Sequence, residues 1–361
     1  MRIAVNCRSI MSARRTGIGR YTYHLLNQLG QLRSGDTFTL YGPKRLFDFK
    51  RQLPRFPYPN FNPRLDYFGQ GPKGVDVYHV PCPDRISTHA GKVVVTVHDL
   101  IYKTYPQAHT PQTIELTQGH MQEISRLADR IICISESTRR DLHRFFDLPQ
   151  EKTCTVLNGV DHSVFCRISD LSPAQAFLKK LEVSAGFILF VGTIEPRKNL
   201  PGLLQAMAQL KGKLKPLPKL VVVGMNGWMT EQIADSVKQL GLGEDVVFTG
   251  FISDEQLNWL YNTCGVFVFP SFYEGFGFPV LEALCAGAAV VASSTSSCPE
   301  ITADAAMLID PNEAGQIAHS IEKLMNDTVF AEELKRKALK RAREFSFEKT
   351  ARQTLEVYHG L

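Results

Sequence analysis

Short apolar runs that stop at a glycine or a polar loop recur along this chain, and each is followed by a stretch of helical periodicity. Lys92–Val97, Phe187–Val191, Leu220–Val223 and Val266–Phe269 are four to six residues long and almost free of polar interruption. A strand of that kind is buried on both faces, which is the condition of a parallel sheet covered by helices on both sides. The alternation is therefore a strong constraint on the fold: it predicts α/β architecture and excludes bundles and sandwiches.

The pattern runs twice. In the first series Arg2–Asn6, Thr37–Tyr41, Val75–His79, Lys92–Val97 and Arg130–Ser135 read as strands. Arg20–Leu29, Thr113–Leu127 and Ser137–Phe146 read as helices. It restarts near residue 184 with Phe187–Val191, and the strands Leu220–Val223, Val246–Phe248, Val266–Phe269 and Ala289–Ala292 follow. Their helices are Leu200–Leu210, Glu231–Leu240, Asp254–Asn262 with Ser253 as N-cap, and Val280–Cys285. Ala314–Met325, Val329–Glu344 and Glu348–Tyr358 read as the last helices. Two doubly wound domains are expected, residues 1–168 and 180–344, joined by a linker over Arg167–Ala174. Lys44–Lys73, with Pro54, Pro57, Pro59, Pro63 and Pro72, is expected to be a long loop.

Composition narrows the setting. No run approaches the roughly 18 apolar residues of a spanning helix, and Met1–Val5 enters a strand pattern with no leader-like apolar region. Eight cysteines are scattered without CxxC or Cys/His zinc spacing, so reduced thiols and a cytoplasmic location are expected. Net charge is +5 but uneven: residues 1–60 hold 11 Lys+Arg against 2 Asp+Glu. Either the N-terminal part meets an anionic partner or its basic surface is incidental.

Four loops carry the chemistry. Ser271–Ala283, read SFYEGFGFPVLEA, follows a buried strand and opens a helix near Pro279. In a doubly wound sheet ligands bind beyond the strand C-termini, and a helix N-terminus there suits a phosphate. Glu274 and Glu282 are separated by seven residues and could reach two hydroxyl-rich parts of one elongated ligand. The plain alternative makes Glu274 a capping acid and Glu282 a surface helix residue. Val191–Leu200, read VGTIEPRKNL, places Arg197 and Lys198 at a helix N-terminus, where the dipole opposes them. An anionic ligand would remove the conflict; a solvated basic turn is the alternative. Thr16–Tyr21, read TGIGRY, lacks the full dinucleotide fingerprint, but Gly17 and Gly19 permit close backbone approach. His98 ends a strand at the crevice with Asp99 beside it to hold its tautomer, while His79 reads as structural.

The strings TGIGRY, HDLIY, FVGTIEPRKNL and YEGFGFP resemble the family 4 retaining glycosyltransferases, and the resemblance covers essentially the whole chain. It implies the GT-B fold, two Rossmann-like domains facing across a cleft, with helix 345–361 crossing back to the N-terminal domain. It implies a catalytic set of His98, Arg197, Lys198 and Glu274. Donor binding would use Gly17, Gly19, Arg197, Lys198, Gly277, Phe278, Pro279, Leu281 and Glu282, with Glu274 on the hexose and Glu282 on the ribose. The pattern is most similar to bacterial mannosyltransferases of O-antigen and capsule synthesis. It implies GDP-mannose as donor, with UDP- and dTDP-sugars as alternatives, and a glycan or lipid-diphosphate-linked acceptor. Thr193 stands where many members carry arginine, which leaves the diphosphate to Arg197 and Lys198. No metal and no cofactor are implied, the two cations replacing a divalent ion. The basic segment Lys44–Lys73 and Arg14-Arg15 fit an acceptor or peripheral membrane contact.

Other classes fit less well. A phosphorylase needs a pyridoxal-phosphate lysine context that is not visible, and a nucleotide-sugar-binding regulator would not need His98 and Glu274. A nucleic-acid protein would show a recognised binding motif, and none is present.

Overall fold

The apolar runs pair with one another in parallel, as their two-sided burial requires. The computed structural model describes residues 1–12, 16–32, 34–43, 52–86, 91–225 and 230–361. Arg14-Arg15 and the start of the Lys44–Lys73 segment lie outside the described residues. The chain divides into two units: Met1–Gly159 with Phe345–Leu361, and Val160–Glu344.

The first unit holds β1 (Arg2–Asn6), β2 (Thr37–Pro43), β3 (Phe61–Asp66), β4 (Val77–Val80), β5 (Lys92–Val97), β6 (Arg130–Cys133) and β7 (Thr153–Thr155). Their order in the sheet is β3-β2-β1-β4-β5-β6-β7. Part of the expected loop Lys44–Lys73 is thus a strand. β3 is a sheet edge, and Pro63 lies in it opposite Leu40. A proline lacks the N–H that a central strand must donate, so only an edge position tolerates it.

The last helix, Phe347–His359, belongs to this first unit and packs against the helix Gly17–Gln31. Its side chains fasten it to this unit. Tyr358 Oη lies 2.6 Å from His79 Nδ1, and Thr350 Oγ1 donates to Leu157 O at 2.8 Å. The His24 and Phe347 rings stack at 4.7 Å. Gly159 permits the approach: a Cβ there would stand 2.1 Å from Phe347 N. His79 is fully buried with both nitrogens engaged, its Nε2 2.8 Å from Thr96 Oγ1. Burial and neighbouring His98 push its pKa down to about 3, so the ring is neutral at physiological pH.

The second unit holds β8 (Ile188–Val191), β9 (Leu220–Val223), β10 (Val246–Gly250), β11 (Val266–Phe269), β12 (Val290–Ser293) and β13 (Met307–Ile309), in the order β10-β9-β8-β11-β12-β13. Phe190, Leu203, Met207, Val222, Val268 and Ile321 form part of one continuous core in it. The helix Asp254–Thr263 opens at Ser253 through a reciprocal capping box with Gln256.

The boundary differs from the expected one at residue 168. It falls between Gly159 and Val160, and Arg167–Ala174 is no free linker. Two asparagines one helical turn apart hold the backbone of that stretch to the second unit. Asn258 Oδ1 accepts from Cys166 N at 3.2 Å, and Asn262 Oδ1 accepts from Ile168 N at 3.0 Å. A helix, Ser172–Lys180, then begins with Pro173 in its first turn.

Candidate active site

In each sheet the strand order reverses at one point, between β1 and β4 and between β8 and β11. A crevice opens at such a reversal, beyond the strand C-termini. The loops that leave β8 and β11 carry the strongest candidate residues.

From β8 the chain runs through Gly192 to a single 3-10 turn, Pro196–Lys198, and then to Asn199 in the left-handed region at φ 56. Asn199 caps the helix Leu200–Leu210, its Oδ1 accepting from Gly202 N at 3.2 Å. Its Nδ2 donates to Pro311 O at 2.6 Å, which fixes the loop from a second side. The two cations therefore sit immediately before a helix N-terminus and are largely buried, Arg197 at 9% and Lys198 at 8% exposure.

The anion that reconciles them with the helix dipole comes from the protein itself. Glu274, on the loop after β11, is 7% exposed. Its Oε1 lies 2.6 Å from Lys198 Nζ and 2.8 Å from Arg197 Nη1. Arg197 also pairs with Glu195 through Nη2 and donates from Nη1 to Tyr273 O at 2.6 Å. Lys198 Nζ lies 4.9 Å from the centroid of the Phe269 ring. The loops are joined by backbone as well, Phe272 N donating to Arg197 O at 2.9 Å. Burial alone would push the Glu274 carboxyl up, but the Arg197 and Lys198 charges outweigh it and hold it down at about 2. Burial pulls the Lys198 ammonium down, against the opposing charge of Glu274. The two cations, Glu195 and Glu274 form a charge-neutral quartet, three of its members buried and Glu195 half-buried.

Glu282 lies on the helix Phe278–Ala286 and is 5% exposed, so it is not a surface helix residue. Tyr261 Oη donates to its Oε2 at 3.1 Å. The helix opens at Gly277, whose φ of 104 suits only glycine; Pro279 brings no N–H to its first turn, and Val280 N is taken by Gly277 O at 3.0 Å. Phe278 and Pro279 are half-buried at this opening. Leu281 is fully buried, and its N–H is taken by Gly277 O at 3.2 Å.

In the first unit, Gly17 and Gly19 occupy the opening turn of the helix Gly17–Gln31. The cap Thr16 accepts from Gly19 N at 3.4 Å. Among the described residues nothing stands within 4 Å of a Cβ placed on exposed Gly17. His98 is buried after β5, with the Tyr21 ring edge-on at 5.0 Å. Its orientation is not set by Asp99, whose Oδ1 accepts from Ile101 N at 3.1 Å and so turns the chain. Nε2 instead lies 2.7 Å from Pro81 O. A carbonyl only accepts, so Nε2 carries the proton and Nδ1 the lone pair. Burial pulls the His98 pKa down, against the Pro81 carbonyl, which raises it.

Sequence reading missed the support of the Glu274 loop. Ser293-Ser294-Thr295-Ser296-Ser297 is a run of five hydroxyl residues following β12. Thr295 Oγ1 donates to Phe272 O at 2.8 Å, and Ser296 Oγ accepts from Glu274 N at 2.9 Å. Ser297 Oγ faces Phe276 O at 2.6 Å and Glu274 O at 3.0 Å. An uninterrupted hydroxyl run at a strand end was the available signal.

Residues 15–164 match the family described as Glycosyltransferase Family 4, and residues 175–345 the family described as Glycosyl transferases group 1. O-antigen chain mannosyltransferase B of Escherichia coli is 29% identical over 372 aligned positions, covering 95% of this chain and 96% of that protein. Serotype-specific mannosyltransferase WbdA of Escherichia coli is 31% identical over 274 positions, 75% of this chain but 34% of that longer protein. Sucrose-phosphate synthase from Thermosynechococcus elongatus superposes with a TM-score of 0.78 at 22% identity, covering 99% of this chain and 98% of that one. The shared fold is GT-B.

Proposed function

The chain belongs to the family 4 glycosyltransferases, and on that premise we propose that it moves mannose from GDP-mannose, with retention at the anomeric carbon, to a hydroxyl of a glycan or lipid-linked acceptor in surface-polysaccharide assembly. The mannosyltransferase names of two of its relatives support the sugar. The observation that carries the reading is the buried pair Arg197–Lys198 at the strand reversal, facing the Glu274 carboxylate.

Arg197 and Lys198 receive the donor diphosphate, with the N-terminus of the helix Phe278–Ala286 contributing its positive dipole end. As the bond from the anomeric carbon to the diphosphate breaks, negative charge grows on the leaving oxygen and positive charge on the sugar ring. The two cations stabilise the first from fixed positions in a poorly solvated site. Glu274, released from them, accepts hydroxyls of the sugar, and Glu282, oriented by Tyr261, accepts those of the ribose. The acceptor hydroxyl attacks on the face the diphosphate leaves. Its proton passes to the departing phosphate oxygen as the new glycosidic bond forms. Gly17, Gly19 and His98, with its lone pair on Nδ1, are the substrate contacts proposed for the first unit.

A donor screen tests this. Nucleoside diphosphate release is measured with each nucleotide sugar, with and without lipid-linked glycan extract. GDP-mannose should give the fastest release, and Lys198→Ala should lower its turnover by about 100-fold. A loss under about threefold would remove the phosphate role of Lys198, since contacts to developing charge contribute far more.

A further inference from the structure

We propose that Ser296 and Ser297 are positioning residues of the donor site, holding the Glu274 peptide from both sides so that its carboxylate is aimed; the inference rests on the donor reading above. Three consecutive hydroxyls match successive groups of the 272–276 backbone in order: Thr295 takes Phe272 O, Ser296 takes Glu274 N, and Ser297 takes Glu274 O and Phe276 O. The single proton of Ser297 points chiefly at the nearer Phe276 carbonyl and is shared with Glu274. With Phe272 N bound to Arg197 O and Tyr273 O to Arg197 Nη1, at least six polar backbone groups of this loop are met by neighbours outside it.

The loop needs such a template. It contains Gly275 and Gly277, so its own backbone is permissive. The large majority of buried hydroxyls are bonded, and Ser297, 0% exposed, has two carbonyls within reach. Ser296 is held in the left-handed region at φ 53, a conformation that a serine keeps only when its surroundings impose it. Neither side chain touches the Glu274 carboxylate, so their effect passes through the backbone. Errors of about 1 Å in such a group are enough to slow a reaction strongly.

The experiment compares Ser296→Ala, Ser297→Ala and Ser297→Thr with wild type. Amide exchange is read across residues 272–277, GDP affinity by calorimetry, and steady-state turnover with GDP-mannose. Ser296→Ala removes the acceptor of the Glu274 amide and should speed its exchange by about tenfold, with β11 unchanged. Both alanine variants should lower kcat by about tenfold while donor KM and GDP affinity stay within about threefold, because Arg197 and Lys198 still hold the diphosphate. Ser297→Thr, which keeps the hydroxyl, should recover most of the turnover. Should Ser297→Ala fail to fold, Ser296→Ala, on a half-buried side chain, still decides. Wild-type turnover with unchanged Glu274 exchange in Ser296→Ala overturns the proposal, as does faster exchange with unchanged kcat. A wild type that releases nucleoside diphosphate from no donor overturns the donor reading instead.

Discussion

Glu274→Gln should tighten the binding of free GDP while abolishing transfer. The carboxylate holds both cations of the site, at 2.6 and 2.8 Å. At an effective dielectric of about 20, each attraction is about 6 kcal/mol before desolvation is subtracted. The net value of a charge-assisted hydrogen bond is about 1.5–3 kcal/mol. On the proposed reading, an incoming diphosphate displaces at least one of these bonds. Free GDP brings no hexose whose hydroxyls would repay Glu274 for its release. Glutamine keeps the shape and removes the competing charge, so GDP should bind about 10- to 100-fold more tightly by calorimetry at low salt. The unliganded variant should also lose about 3 kcal/mol of stability, because Glu195 alone is left to neutralise two buried cations. GDP should then raise its melting temperature more than it raises that of wild type. Unchanged or weaker GDP binding in Glu274→Gln would refute the idea that this carboxylate and the diphosphate compete for the same cations.

The remaining expectations concern pH, packing and surface. His79 has a folded pKa near 3 against an ordinary 6.5, so the unfolded first unit takes up the proton first. Its stability is complete above about pH 6.5 and falls by up to about 1.4 kcal/mol per pH unit below that. Denaturant titrations from pH 7 to 5 should show a shallower slope in His79→Asn; equal slopes would refute this. Glu274, held near 2 against an ordinary 4.5, gives the second unit a stability that declines only below about pH 4.5. Gly159→Ala drives a methyl into the Phe347 backbone and should lower stability by about 3 kcal/mol, read as a melting shift. Phe68 is 76% exposed beside Tyr67, and Phe68→Ala should reduce co-flotation with phosphatidylglycerol vesicles at low salt if this edge meets a membrane.

What could be read from the residues depended on the range of the interaction. β5, β8, β9 and β11 are central strands buried on both faces, so their composition alone marks them, and the loops after them follow. β3 and β13 are edge strands with mixed burial, and Pro63 disguises the first as a loop. The electrostatic conflict at Arg197–Lys198 was visible, but its internal partner, Glu274, stands 76 residues away. Local spacing carries no information about such a pair. Asp99 misled for the opposite reason: adjacency to His98 suggested a bond, while turn geometry gave its carboxylate to Ile101.

The last helix has a consequence for how the protein is made. His79, deep in the first sheet, meets the hydroxyl of Tyr358, and Leu157 O is met by Thr350. The first unit begins before the second along the chain and is completed only after it, since its closing helix follows Glu344. The second unit, Val160–Glu344, has all its own residues available earlier and can fold while the first waits. A stop directly after Glu344 would leave the later-starting unit whole and the earlier one without its fastening.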